Sequence, residues 1–254
     1  MSNYLEFEMP IISVPNVSSL DRNSVIEQLD KTHFACIRGC FDPNKLLDCH
    51  AQISSKISQI NFEASTGENA DAVRTNFAKT NIGGASSRYN NYPRFFRTIY
   101  NPLWEEDIFG LRSEFKKLIQ IRNIIYNLDM HFGSEGIEEN GLFSACRLQH
   151  YPTGGGFFGT HRDTTLVDVA NEKSFDFYQL ILMISASGEH FEEGGAFIEK
   201  DGRRLLLEKK CLTGDVLIYD GRTLHGVEEI DPHKPLNLKG LSGRIVALAS
   251  LYKS

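Results

Sequence analysis

The sequence predicts a mainly β protein in which a helical N-terminal layer supports a C-terminal antiparallel β-barrel. A chain of 254 residues with 41% hydrophobic content can bury a full core, and barrels of this size commonly form one domain. Helical periodicity dominates before residue 141, whereas short β-rich runs separated by glycine and charged turns follow it. We therefore expect a single domain over 1–254, with 1–140 as support and 141–254 as the barrel core.

The first elements are two helices around a buried strand. Asp21 can cap a helix over RNSVIEQLDK, where apolar residues recur on one face. The run HFACIRG has the pattern of a buried strand that ends at Gly39. Asp42 and Pro43 then begin a second helix with apolar periodicity through LLDCHAQISSKISQI.

Residues 61–101 are rich in Asn, Gly, Ser and Arg and show no clean period. A long connection without regular structure is usually functional, so we expect a lid that folds over the barrel mouth. Its arginines Arg88, Arg94 and Arg97 are candidates for holding a substrate carboxylate. A solvated loop whose aromatic residues pack on the barrel wall is an equally good interpretation.

A third helix is predicted within EEDIFGLRSEFKKLIQIRNIIYNL.

The C-terminal half contains the predicted strands of the barrel. They are GLFSACRLQHYP, FDFYQLILMIS, GGAFIEK, RRLLLE, GDVLIYD and GRIVALASLY. A glycine-rich loop, TGGGFFGT, follows the first of them and lets the backbone pack close to a site.

Composition excludes several classes of function. The formal net charge of -6 argues against a nucleic-acid partner, because neutralising phosphates requires a basic face. The opening residues MSNYLEFEMP include acids and no long apolar run, so we expect neither a signal peptide nor a membrane partner. Five cysteines without CxxC spacing favour reduced thiols over a disulfide framework. A cytoplasmic protein is expected, and its oligomeric state stays open.

Three residues in two separated motifs predict a metal centre. GTHRDTT contains His161 and Asp163, and YDGRTLHGV contains His225. Residues i and i+2 of a strand point to the same face, so His161 and Asp163 can bind one ion together. Two imidazoles and one carboxylate form the facial triad that holds non-heme Fe(II) and leaves positions open for a co-substrate and O₂. An isolated HxD, taken alone, is more often a surface turn.

Arg244, in SGRIVALAS, is the candidate for binding an acidic co-substrate. Its planar guanidinium is suited to gripping a carboxylate bidentately, which would offset the cost of burying a charge between apolar neighbours. The alternative is an outward-facing strand residue in a surface ion pair. Gln149 and Tyr151 lie on one strand face with Arg147 and can reach the co-substrate or substrate, unless they only pack inside the barrel.

The order QHYPTGGGFFGTHRD, EEGGAFI, GDVLIYDGRTLHGV and GRIVALASLY resembles the 2-oxoglutarate/Fe(II)-dependent dioxygenases, particularly their prolyl-hydroxylase-like branch, over roughly residues 141–252. The resemblance implies a double-stranded β-helix, or jelly roll. It also implies that His161, Asp163 and His225 bind Fe(II) and that Arg244 binds the distal carboxylate of 2-oxoglutarate. In the family the basic residue usually follows the second histidine more closely than Arg244 does, so Arg147 and Arg222 are alternatives.

The same resemblance implies an oxidoreductase that uses O₂ to convert 2-oxoglutarate to succinate and CO₂ while hydroxylating an unactivated C–H bond. Because the chain keeps the Asp163 carboxylate, hydroxylation is favoured over halogenation. The expected substrate is a small molecule such as a free amino acid or a biosynthetic intermediate. Desaturation, cyclisation and a carrier-tethered or protein substrate stay open. Two functions of other classes also stay open: a non-catalytic jelly roll that binds a metal or ligand, and a zinc hydrolase. No catalytic residue is predicted beyond the metal ligands.

Overall fold

Three α-helices and fourteen β-strands are present in the computed structural model, which describes residues 4–64, 71–82, 93–163 and 177–254. The helices are α1 Arg22–Thr32, α2 Pro43–Lys56 and α3 Arg112–Tyr126. The strands are β1 Ile11–Ser13, β2 Phe34–Arg38, β3 Glu63–Ala64, β4 Ala78–Asn81, β5 Pro93–Arg94, β6 Phe96–Tyr100, β7 Leu142–Pro152, β8 Gly156–His161, β9 Tyr178–Met183, β10 Gly195–Lys200, β11 Arg203–Leu206, β12 Val216–Asp220, β13 His225–Ile230 and β14 Gly243–Lys253.

These strands form two sheets that face each other. The larger sheet has the order β1-β2-β12-β9-β14-β7-β6-β4-β3, and the smaller has the order β11-β10-β13-β8-β5. Apolar side chains from both sheets, such as Ile181 and Leu217 from the larger and Ile198 from the smaller, share one core cluster. This arrangement confirms the predicted mainly β fold of the jelly-roll type, whereas the proposed division of the chain at residue 140 stays a prediction.

The helices cover the outer face of the larger sheet, as the sequence predicts. Side chains from the helices, including Val25, Leu46 and Leu118, pack in one cluster with Leu148 and Ile218 of the sheet. Asp21 caps α1 by accepting hydrogen bonds from the backbone N–H groups of residues 23 and 24, and Asp42 caps α2. None of the described helices is long and apolar enough to cross a membrane.

Four short strands interrupt the segment 61–101, in which the sequence predicts no regular structure. β4 pairs with β6, and β6 pairs with β7, so these strands extend the larger sheet. All five residues of β6 are buried, which removes the alternation by which a half-buried strand is recognised in a sequence. β8 likewise replaces most of the glycine-rich loop predicted after β7. Residues 65–70 and 83–92, with Arg88 among them, lie outside the described residues, so the predicted lid stays a prediction there.

Candidate metal centre

Two histidines come together because their strands pair in the smaller sheet. His161 ends β8 and His225 begins β13, and these two residues are direct partners in the antiparallel register. Their ring centroids lie 4.3 Å apart. The sequence places Asp163 on the same strand as His161, but β8 ends before it. A hydrogen bond from the Asp163 N–H to the Gly221 carbonyl, at 3.1 Å, holds it beside the two imidazoles instead.

The hydrogen bonds of both imidazoles leave Nε2 available as a ligand atom. Nδ1 of His161 lies 2.8 Å from the Gly159 carbonyl, and Nδ1 of His225 lies 2.8 Å from the Thr223 carbonyl. A carbonyl only accepts, so each Nδ1 is the protonated nitrogen and each Nε2 carries a lone pair. Burial, followed by the neighbouring His225, lowers the pKa of His161. The neutral, metal-binding form is thereby favoured.

The Asp163 carboxylate completes a donor set that fits a divalent cation. Its Oδ2 lies 3.4 Å from Nε2 of His225, and its Oδ1 lies 3.8 Å from Nε2 of His161. All three ligand atoms lie within 4.8 Å of one another. Nε2 of each histidine has no proton, so it cannot donate a hydrogen bond to the Asp163 oxygen that it faces. The buried Oδ2 of Asp163 therefore has no hydrogen-bond donor. A bound cation would satisfy these atoms, and a set of two imidazoles and one carboxylate is one that suits Fe(II).

The triad opens into a cavity of about 330 Å³ between the two sheets. The strands β7 and β14 of the larger sheet place Arg147, Gln149, Tyr151 and Arg244 on its wall together with the triad. The structure therefore brings these four sequence-predicted residues to one space.

Arg244 lies inside the barrel, where it forms a buried ion pair. The alternative of an outward-facing surface residue is therefore wrong, whereas the contact with a co-substrate stays a prediction. Its Nε lies 2.8 Å from each carboxylate oxygen of Glu208, and its Nη2 donates to the same carboxylate. The guanidinium also stacks 4.8 Å above the Tyr151 ring. Glu208 thus occupies the Nε and Nη2 side of the guanidinium. Nη1, which is buried, has no hydrogen-bond partner among the described residues.

Glu208 is a site residue that sequence reasoning missed. It lies in a 3-10 helix, Leu207–Lys210, that follows β11, and it is buried. Gly195 makes room for it, since a Cβ there would lie 2.9 Å from Glu208 Oε2. The available signal was a single acid at the end of the apolar run RRLLLE, which a surface turn explains equally well.

The other predicted arginines are not among the described residues that line the cavity. Arg97 points to the opposite face of the sheet, where it stacks on Phe62 and donates to the Gly240 carbonyl. Arg94 pairs with Glu229 at 2.9 Å. Arg222 is 55% exposed and pairs with Asp220. Arg88 lies outside the described residues.

A second cluster of metal-ligand atom types is explained without a metal. Cys36, Cys211 and Asp215 lie together in the core. Both carboxylate oxygens of Asp215 accept hydrogen bonds from Arg38, at 2.9 and 2.7 Å. The charge of the carboxylate is therefore balanced by an arginine, and all five cysteines of the chain are free and buried.

No family model matches the sequence, and no curated protein matches it either. Among solved structures, the chain is similar to a prolyl-4-hydroxylase from Pseudomonas putida, with 13% identity and a TM-score of 0.53 over 92% of this chain and 100% of that one. It is also similar to a Trichoplax adhaerens prolyl hydroxylase in complex with a peptide fragment of the hypoxia inducible factor oxygen degradation domain (13% identity, TM-score 0.55, 91% and 89% covered). AviO1 from Streptomyces viridochromogenes is 15% identical, with a TM-score of 0.51 and 92% and 96% covered.

At these identities the similarity concerns the fold. The two facing sheets, with β8 and β13 paired at His161 and His225, agree with it. The chain therefore has the double-stranded β-helix fold of these prolyl hydroxylases.

Proposed function

We propose that this protein is a cytoplasmic Fe(II)- and 2-oxoglutarate-dependent dioxygenase that hydroxylates an unactivated C–H bond of a small molecule. The observation that carries the proposal is that the ligand atoms of His161, Asp163 and His225 lie close together, while the buried Oδ2 of Asp163 has no hydrogen-bond donor. Bound Fe(II) and 2-oxoglutarate supply the oxidative chemistry, in which O₂ yields succinate, CO₂ and one hydroxyl group on the substrate.

The three ligands have distinct supporting contacts in this proposal. The carbonyls of Gly159 and Thr223 fix the tautomer of each imidazole, so that Nε2 faces the ion. Asp163 supplies the single negative charge of the donor set, and its retention favours hydroxyl transfer over halide transfer. A metal held by these three residues would keep further coordination positions for the co-substrate and O₂.

Arg244 is proposed to hold the distal carboxylate of 2-oxoglutarate through Nη1. This nitrogen is buried and has no hydrogen-bond partner among the described residues. The Tyr151 ring packs against the flat face of the guanidinium, and Glu208 binds the edge opposite Nη1. Together, these contacts fix the orientation of Arg244 before the co-substrate arrives, which lowers the entropic cost of binding. Gln149, on the same wall, is proposed to donate to the co-substrate or the substrate.

A cavity of about 330 Å³ suits a small molecule more than a folded protein partner. The experiment that tests the proposed function measures succinate release with a panel of small acids and amines. Release should require Fe(II), 2-oxoglutarate and O₂ together. Consumption of a substrate with Zn(II) and without 2-oxoglutarate, followed as loss of that substrate, would instead indicate a hydrolase.

A further inference from the structure

Three residues that line the cavity each have a buried polar atom without a hydrogen-bond partner among the described residues. These atoms are Oδ2 of Asp163, Nη1 of Arg244 and Oδ1 of Asn81. The proposed function assigns the first atom to the metal and the second to the distal carboxylate of 2-oxoglutarate. The Asn81 oxygen has no such assignment, although a buried polar atom without a partner is costly. The component of the reaction that is left to supply a partner is the substrate.

Asn81 faces the cavity because of its place on β4. Lys79 and Asn81 lie two positions apart on this strand, and both line the cavity. Asn81 is 6% exposed, and the oxygen of its carboxamide accepts hydrogen bonds but cannot donate them. The terminal torsion of an asparagine side chain is soft, so a small rotation turns this oxygen toward a ligand. Asn81 is therefore suited to accept a hydrogen bond from an N–H or O–H group in the cavity.

A series of ring contacts connects the neighbourhood of Asn81 with the proposed metal centre. Asn81 is the register partner of Phe96 on β6. The centroid of the Phe96 ring lies 5.8 Å from that of Phe158, and the Phe158 ring stacks on the imidazole of His161 at 4.0 Å. Phe96 and Phe158 line the cavity, as does Pro93, the register partner of Phe158. These three residues, here called the apolar wall, give the cavity an apolar surface beside a proposed metal ligand.

We infer that Asn81 and the apolar wall form the substrate subsite, which takes an apolar group that carries an N–H or O–H donor. Asn81 accepts the hydrogen bond, and Phe96 and Phe158 pack against the apolar group. The inference rests on the proposed function, because the metal and the co-substrate account for the other two unpartnered atoms. It makes Asn81 a specificity-determining residue, since a molecule without the donor leaves its oxygen unpaired.

The test compares probes that differ in the donor, with protein loaded with Mn(II) and saturating 2-oxoglutarate. The matched pairs are benzyl alcohol and benzyl methyl ether, benzamide and N,N-dimethylbenzamide, and benzylamine and benzyltrimethylammonium. Binding is measured from the proton relaxation of each probe, which nearby Mn(II) enhances. Saturation transfer from the metal-free protein measures the binding of the same probes without the metal. We expect at least one probe with a donor to bind about 3- to 10-fold more tightly than its partner and to show enhanced relaxation.

Variants of Asn81 show whether its oxygen causes this preference. Asn81→Leu removes the acceptor at nearly the same volume, so the preference for the donor should be lost. Asn81→Asp keeps an acceptor and should keep the preference. Asn44→Leu, at an exposed position on α2, is the matched control and should bind the probes like the wild type. Melting curves identify any variant that fails to fold, and Asn81→Ala replaces Asn81→Leu in that case.

Three outcomes would overturn the inference. The first is that the wild type prefers no probe with a donor, which includes the case in which it binds Mn(II) and 2-oxoglutarate but none of the probes. The second is a preference that persists when the Asn81 oxygen is removed. The third is a preferred probe whose relaxation Mn(II) does not enhance, because that probe binds away from the metal. Failure of Mn(II) or 2-oxoglutarate to bind would count against the proposed function separately, since saturation transfer still measures the probes.

Discussion

Glu208 balances the charge of Arg244 inside the barrel: the two side chains are 2% and 1% exposed, and Nε of Arg244 lies 2.8 Å from both carboxylate oxygens. A buried pair of this kind is costly to break from one side, because the remaining charge has no partner. A second carboxylate on Nη1 would have to share the same guanidinium with Glu208. Variants of Glu208 and of Arg244 can therefore measure what each residue contributes to stability and to the binding of 2-oxoglutarate.

Glu208→Gln should destabilise the protein and strengthen its response to 2-oxoglutarate. The variant leaves Arg244 uncompensated, which lowers the free energy of unfolding by roughly 3–5 kcal/mol. A carboxylate that reaches Arg244 then becomes its main counter-charge. We expect 2-oxoglutarate to raise the melting temperature of the Mn(II)-loaded variant more than that of the wild type. Equal shifts would show that the co-substrate does not contact Arg244, and the exposed Glu189→Gln is the matched control.

Removing Arg244 should weaken the binding of 2-oxoglutarate without affecting the binding of the metal. Losing a charge-assisted contact costs on the order of 2–4 kcal/mol, about 30-fold to nearly 1,000-fold in the KM for 2-oxoglutarate. The double variant Arg244→Met with Glu208→Gln removes both charges, so it avoids leaving a buried carboxylate unpaired. Arg222→Ala, at an exposed position outside the cavity, is the control. A folded double variant with wild-type dependence on 2-oxoglutarate would transfer the role to another cation.

The three helices and many of the strands were predictable because they have a local signal. Asp21 and Asp42 mark the helix starts, and the apolar runs after residue 141 mark the strands. β4 and β6 were missed because a strand buried on both faces shows no alternation, and β6 contains Arg97 and Thr98 as well. Their recognition depends on pairing with β7, which is a tertiary property.

The convergence of His161, Asp163 and His225 was predictable from motif and spacing, whereas the cavity wall was not. His161, Asp163 and His225 belong to short motifs with a known geometry. The partnership of Glu208 with Arg244 joins residues 36 positions apart, and nothing in either segment indicates the other. Lys79 reaches the cavity only because two further strands extend the larger sheet. Long-range pairings of this kind leave no local trace in a single sequence.

Each of the three proposed metal ligands should be necessary for binding the ion. Replacing His161, Asp163 or His225 by Ala removes one of three protein donors, so we expect Mn(II) affinity to fall by at least about 100-fold. His131→Ala is the matched control, because this histidine is exposed. Electron paramagnetic resonance of free Mn(II) measures the bound fraction. A variant that binds Mn(II) like the wild type would exclude the replaced residue from the ligand set.

His150 should make the metal-free protein less stable below neutral pH. Burial, followed by the nearby Arg97, lowers the pKa of His150 from 6.5 to about 3. Between these values the unfolded chain binds a proton that the folded chain does not, so this contribution to stability is present above pH 6.5 and is lost as the pH falls. We expect a loss of about 1.4 kcal/mol per pH unit from this group.

Urea unfolding of the metal-free protein across this acidic range measures that dependence. His50 and His161 also have lowered pKa values, mainly because of burial, so they add slope in the same direction. His150→Gln keeps a donor for the Ser242 carbonyl, which His150 Nε2 contacts at 3.1 Å. The variant should reduce the slope of the free energy of unfolding against pH by the equivalent of up to one bound proton. An unchanged slope in this variant would mean that His150 does not resist protonation in the folded state.

The most direct test of the central claim is an anaerobic visible spectrum of the protein with Fe(II), recorded before and after 2-oxoglutarate is added. The account predicts a weak charge-transfer band that requires both additions, is absent in Asp163→Ala and disappears on exposure to O₂ as succinate forms. A protein that binds Fe(II) and 2-oxoglutarate without that band, or whose band persists in O₂ without succinate, would contradict the account. Such a result would leave a metal-binding jelly roll without turnover.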